Sequence, residues 1–104
     1  MVHICVVEGW YSWRFGPRFP QLKMNAADYW HRQVYATFQD DVPGVRCRDL
    51  IGVDKMMWGS DYPHTDGVWP ESSKYIEEQF AGLPADTIHK ITCENAGKFY
   101  GLIN

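Results

Sequence analysis

Lys55-Met56-Met57-Trp58-Gly59-Ser60-Asp61-Tyr62-Pro63-His64 is an apolar run that ends abruptly in a glycine, a carboxylate and a histidine. Met56, Met57 and Trp58 show little alternation, which predicts a strand covered on both faces, as in a parallel sheet flanked by helices. Gly59 stops that strand, and Pro63 biases Tyr62 toward extended backbone. Asp61 and His64 are therefore expected at a strand's carboxyl end, where α/β folds build their sites.

The residues alone leave two readings of Asp61 open. Either its side chain accepts backbone hydrogen bonds in an Asx-turn ahead of the proline, or it is a metal ligand or general base fixed on a rigid strand end. His64, taken singly, is more often a hydrogen-bonded loop histidine than a ligand or base.

Working outward, Val34-Tyr35-Ala36-Thr37-Phe38 alternates and is rich in β-formers, so it predicts a second strand. Gln39-Asp40-Asp41 at its end should face the same rim as Asp61, with Asp41 preferred as a helix cap because Pro43 follows in a favoured first-turn position, and the role of Asp40 left open. Cys47, Leu50 and Ile51 predict a helix over Pro43–Ile51 with those three inward, giving a strand, helix, strand unit with parallel strands. Upstream, Asn25 caps a short helix with Asp28 near its positive end. Downstream, Pro70 opens a helix with Tyr75, Ile76 and Phe80 inward and Gly82 closing it. Pro84 starts another with Ile88 and Ile91 inward. Thr92 is expected to cap a last helix in which Ala96, Phe99 and Tyr100 pack before Gly101.

His3-Ile4-Cys5-Val6-Val7 predicts a further strand ending at Glu8, which reads best as an exposed strand-end carboxylate. Trp10, Trp13, Arg14 and Phe15 follow in a stretch without helical period, for which packing outranks a pocket-mouth role.

At 45% hydrophobic and 15% aromatic, the 104 residues have the makeup of one folded domain. Five Trp, six Tyr and five Phe exceed what so small a domain easily hides, so some are expected to pack against further structure. A net charge of −3 with both signs interspersed gives no basic stripe, which argues against nucleic acid or an anionic membrane as partner. No apolar run is long enough to cross a bilayer. Cys5, Cys47 and Cys93 are dispersed, with no C-x-x-C pair, and no secretory signal pattern is present; this reads as a cytoplasmic chain with reduced thiols.

Met57-Trp58-Gly59-Ser60-Asp61-Tyr62-Pro63-His64, followed by Trp69-Pro70, resembles the signature near the carboxyl end of the amidohydrolase-related metal-dependent hydrolases, in the branch that includes aminocarboxymuconate-semialdehyde decarboxylase. The segment Tyr29–Asp41 resembles the part of that family preceding the signature, and Ile91–Leu102 resembles its closing helix. The stretch after Glu8-Gly9 departs from the family, which has a long helix there.

The family is a (β/α)8 barrel, and a complete barrel takes about 250 residues. The resemblance therefore implies an α/β fold class in which this chain is the carboxyl-terminal part of a TIM barrel, one partial domain over residues 1–104 with about three parallel strands and flanking helices. It implies that Asp61 follows the last barrel strand and serves as a catalytic residue and metal ligand. The resemblance further implies a divalent metal, Zn²⁺, that acidifies a bound water. It implies a small-molecule substrate, either cleaved at a C–N or C–O bond or decarboxylated as an organic acid. The family's H-x-H pair and further histidines have no counterpart here, so a missing amino-terminal barrel half is expected as partner. His64 is expected in loop packing or substrate contact, because the extended bias before Pro63 carries it away from Asp61. The alternative is a non-catalytic α/β module that self-associates as a homo-oligomer through open sheet edges.

Overall fold

Residues 21–104 are described by the computed structural model. The predicted strand His3–Val7, Glu8, and the stretch containing Trp10, Trp13, Arg14 and Phe15 lie outside the described residues.

Helix α1 (Ala26–Gln33) starts where the sequence places its cap: Asn25 is extended, and its Oδ1 accepts the Asp28 N–H at 2.8 Å. Trp30 fastens this helix to the rest by donating its indole N–H to the Ile51 carbonyl at 2.8 Å. Strand β1 (Ala36–Phe38) comes next, shorter than predicted. It pairs in parallel with β2 (Met56–Trp58), in the register Ala36 to Met56, Thr37 to Met57 and Phe38 to Trp58. These are the two strands among the described residues.

The crossover between them begins as expected, with the Asp41 carboxylate accepting the Gly44 N–H at 2.8 Å and Pro43 in the first turn. The single helix expected over Pro43–Ile51 is instead two short ones, α2 (Val42–Arg46) and α3 (Arg48–Ile51). Cys47 leaves the helical region at their junction, with φ −91° and ψ 11°. That break shifts the helical phase of residues 48–51. Ile51 is buried while Leu50, expected inward, is 66% exposed. Gly52 then takes a positive φ of 95° and a 3-10 turn (Val53–Lys55) leads into β2.

Helix α4 (Ser72–Gln79) starts two residues later than Pro70, with Glu71 at the cap position. Tyr75 and Ile76 are half-buried and Phe80 is fully buried. Gly82, with φ 80°, ends the turn. Helix α5 (Ala85–His89), a π-helical turn (Lys90–Glu94) and helix α6 (Asn95–Phe99) then run together without a break, because His89, Lys90, Glu94 and Asn95 all keep helical backbone. Thr92 is therefore interior to a helix and not its cap: with no orphan N–H to serve, its hydroxyl donates to the Ile88 carbonyl at 2.8 Å. Phe99 and Tyr100, expected to pack inward, are exposed; their rings meet at 5.0 Å, and Phe99 lies 4.8 Å from Tyr35. On the same helix Lys98 hydrogen-bonds the Glu94 carboxylate, which holds that carboxyl below its ordinary value. Gly101, with φ 68°, closes α6 as predicted, and the Leu102 N–H returns to the Gly97 carbonyl at 2.7 Å.

Val45, Ile51, Met56, Phe80 and Ile91 form the core, with Trp30, Phe38, Trp58, Ile76 and Ile88 packed against it. Phe38 meets Phe80 edge-on at 6.2 Å. Successive strand residues face opposite ways, and both Met56 and Met57 are buried, which is what the lack of alternation predicted. Asn95 is also buried, its Nδ2 donating to the carbonyls of Val53 and Met56 at 2.8 Å each. Among the described residues no helix is long and apolar enough to cross a membrane.

Phe80 is 1% exposed and touches both the sheet and the helices. Phe80→Ala is expected to cost about 3–5 kcal/mol, the sum of lost transfer energy and an unfilled cavity. Urea unfolding would measure it, and a change within about 0.5 kcal/mol, typical of surface positions, would contradict this core.

Candidate active site

The carboxyl ends of the two strands are tied at one residue. Gln39 directly follows β1, and its main-chain carbonyl accepts the Trp58 indole N–H from β2 at 2.8 Å and the Gln79 side-chain amide from α4 at 2.9 Å. Gln79 is buried, and its Oε1 accepts the Asp41 N–H at 3.3 Å. The Gly59 N–H continues the ladder to the Phe38 carbonyl at 3.0 Å. Gln39's own side chain crosses to the next loop, donating to the Asp66 carbonyl at 2.8 Å.

An open cleft of about 550 Å³ runs along this rim, lined by Thr37, Phe38, Gln39, Asp40, Asp41, Gly59 and Asp61. The Gln39-Asp40-Asp41 segment and Asp61 thus share one rim, as the strand-end argument expects. Asp41 is engaged as the α2 cap, whereas Asp40 and Asp61 are exposed.

Asp61 has φ 58°, the left-handed region, where aspartate is better tolerated than most side chains. The loop after it doubles back. Main-chain bonds close it from His64 N–H to Asp61 O at 2.8 Å, from Gly67 N–H to His64 O at 3.0 Å and from Val68 N–H to Ser60 O at 2.9 Å. The Tyr62–Pro63 and Trp69–Pro70 peptide bonds are both cis. The turn is therefore built from main-chain carbonyls, and the Asp61 carboxylate is left more than half exposed at the cleft.

This geometry corrects the outward course expected for the chain after Tyr62, which the His64 N–H to Asp61 O bond turns back. His64 is not carried away: its Nδ1 lies 3.8 Å from Asp61 Oδ2. That nitrogen also accepts the Asp66 N–H at 3.2 Å, which places the ring proton of the neutral imidazole on Nε2. In this tautomer the approach to Asp61 is a contact and not an ion pair. The Nδ1 lone pair is occupied, so Nε2 is the nitrogen His64 can offer to a bound molecule.

Gln79 is the site residue that sequence reasoning missed; Gln39 was expected on the rim, but its bonds to Trp58, Gln79 and Asp66 were not. Gln79 carries one faint signal, a polar side chain three residues after Ile76 on the inward side of α4.

The chain matches the family model described as Amidohydrolase over residues 2–102. It belongs to the amidohydrolase family. No curated protein matches it. Amidohydrolases belong to a barrel superfamily and generally bind divalent metals, and the parallel strand pair with its helical crossover is consistent with part of such a fold. The donor set imposes a limit, however. A catalytic metal such as zinc takes three protein ligands plus water, and no three His, Cys, Asp or Glu side chains among the described residues gather closely enough to hold one. The described part of this amidohydrolase contributes carboxylates to a rim and does not by itself form a metal centre.

Gly67 is where the Asp61 loop is most closely packed. A Cβ there would stand 2.8, 2.9 and 3.0 Å from the carbonyl oxygens of Ser60, Asp61 and His64. Gly67→Ala is expected to open the loop at a cost of about 1–3 kcal/mol. Faster hydrogen exchange at the Val68 amide, without change in the Asn95 side-chain signals, would report it; unchanged Val68 protection would argue against the packing described.

Proposed function

We propose that this chain is the carboxyl-terminal part of a metal-dependent hydrolase or decarboxylase, in the manner of the aminocarboxymuconate-semialdehyde decarboxylase branch. Its metal, Zn²⁺, would be held by Asp61 together with histidines from further barrel strands. The observation carrying this reading is the placement of Asp61. Its carboxylate stands at the end of a parallel strand, on left-handed backbone and exposed to a cleft that also holds Asp40. Unusual backbone of this kind clusters at functional sites. His3, His31, His64 and His89 include no H-x-H pair, which is why the remaining ligands are assigned to a missing amino-terminal half of the barrel.

Within the chain, the Asp61 carboxylate accepts or orients a proton at the reacting centre, and His64 Nε2 contacts the substrate. The reaction is cleavage of a C–N or C–O bond or loss of CO₂ from a small organic acid, in the cytoplasm, as the dispersed free thiols suggest.

Combining the chain with the missing barrel half should give a complex retaining close to one zinc after dialysis, measured by atomic emission. Asp61→Ala should lower that content, and equal content in variant and parent would sink the assignment. His64→Asn keeps an acceptor for the Asp66 N–H but removes Nε2, so it should retain zinc and change KM more than kcat.

A second reading, a self-associating module, is favoured by the exposed Tyr35, Phe99, Tyr100, Leu102 and Ile103. Sedimentation over a concentration series should then show growing oligomers, and a monomer at every concentration would remove this reading.

A further inference from the structure

His64 Nδ1 stands between two partners that require it in opposite states. The Asp66 N–H reaches it at 3.2 Å and needs its lone pair, whereas the Asp61 carboxylate, with Oδ2 at 3.8 Å, would accept a proton carried on that nitrogen. A neutral imidazole can serve one of them at a time, since each ring nitrogen is either donor or acceptor. The bond to the carboxylate would be assisted by charge and roughly twice as strong as the neutral one. The Asp66 N–H therefore keeps Nδ1 only where its own residue is held in place.

The loop's own main-chain bonds do not hold it. They run from His64 N–H to Asp61 O, from Gly67 N–H to His64 O and from Val68 N–H to Ser60 O, and none uses the N–H or the carbonyl of Asp66. That carbonyl is taken by Gln39, whose Nε2 donates to it at 2.8 Å from 27 residues earlier in the chain. Gln39 is firmly seated, because its main-chain carbonyl carries both the Trp58 indole and the Gln79 amide. Its side chain thus links the sheet edge to the residue that decides where the His64 proton sits, and the proton on one imidazole nitrogen is set by the bond the other nitrogen makes.

We infer that Gln39 is a positioning residue for the cleft: by holding Asp66 it keeps the His64 proton on Nε2 and prevents the imidazole from donating to the Asp61 carboxylate. The substrate group that His64 meets is then a hydrogen-bond acceptor, such as a carbonyl oxygen. That consequence rests on His64 as a substrate contact, whereas the hold of Gln39 on the imidazole does not.

The full chain, isotopically labelled and free of metal, is studied by nuclear magnetic resonance at a pH where the ring is neutral, with the His64 signals assigned through His64→Asn. Imidazole nitrogen shifts distinguish a protonated nitrogen from a bare one. The parent should show a single form, bare at Nδ1 and protonated at Nε2. In Gln39→Leu, which removes the donor, a form protonated at Nδ1 should appear, and exchange of the Asp66 amide should quicken about two- to twelvefold, the factor a neutral hydrogen bond is worth. Gln39→Lys restores a donor on a flexible side chain and should return the parent pattern. The Trp58 indole and Gln79 amide signals should stay in place in both variants, because their partner is the main chain of residue 39. A parent protonated at Nδ1, an unchanged imidazole in Gln39→Leu or no recovery in Gln39→Lys would overturn the inference. So would loss of protection at the Val68 amide in Gln39→Leu, since Gln39 would then be closing the whole loop instead of orienting one residue in it. No substrate enters this measurement, and the substrate contact of His64 is read from KM in His64→Asn, so either idea can fail alone.

Discussion

The main-chain carbonyl of Gln39 accepts two hydrogen bonds, one from the Trp58 indole and one from the Gln79 amide, and the rim of the molecule depends on that meeting. One donor belongs to β2 and the other to α4, so a single oxygen, using both lone pairs, joins the two strands to the helix behind them. A neutral hydrogen bond contributes only about 0.5–1.5 kcal/mol net, whereas a buried group left without its partner costs about 1–3 kcal/mol. The contact therefore acts less by adding stability than by penalising any arrangement in which the three elements come apart. Gln39's side chain extends the same logic to the loop through Asp66. Asp61 is located by residues 39 and 79 as much as by its own neighbours in the chain.

The features legible in the sequence are those decided locally. Asn25 and Asp41 could be read as caps because each satisfies an N–H three residues ahead, and Gly52, Gly82 and Gly101 end their elements with the positive φ that glycine permits. The two strands and their parallel pairing came from apolar pattern, and the carboxylate at the end of β2 from the glycine that stops it. Errors arose where a distant partner or a small backbone change decided the outcome. Leu50 matched helical spacing, but the break at Cys47 changed the phase. Thr92 looked like a cap, and the helix simply continued through it. The bond between Gln39 and Gln79, 40 residues apart, leaves no mark at Gln39 and only the faint one of an inward polar side chain at Gln79. His64 was misjudged because the preference of the residue before proline does not by itself set where the following residues go, and here three main-chain bonds turn the loop back.

The chemistry divides in the same way. Family membership covers nearly the whole chain, while the described side chains assemble one wall of a site: an acidic edge, a histidine with one nitrogen available, and no gathering of metal donors. A barrel distributes its functional groups over the ends of many strands. Two strand ends can therefore position a carboxylate well without forming a metal centre among the described residues.

Met56 and Met57 are the same residue written twice, and the repetition conceals an ambiguity. A strand displaced by one position would hand the core face to Met57 and the opposite face to Met56, and one flexible thioether fills a gap about as well as another. Oily contact alone is blind to that error. It is detected at the two ends of the strand, where the Asn95 amide reads the carbonyls of Val53 and Met56 and the Trp58 indole reads Gln39. An undetected step would move Asp61 about 3.3 Å along the strand direction, off the edge it shares with Asp40. The aim of the carboxylate is thus guarded by an amide and an indole working like the two marks of a vernier scale, on a strand whose two methionines cannot tell one setting from the next.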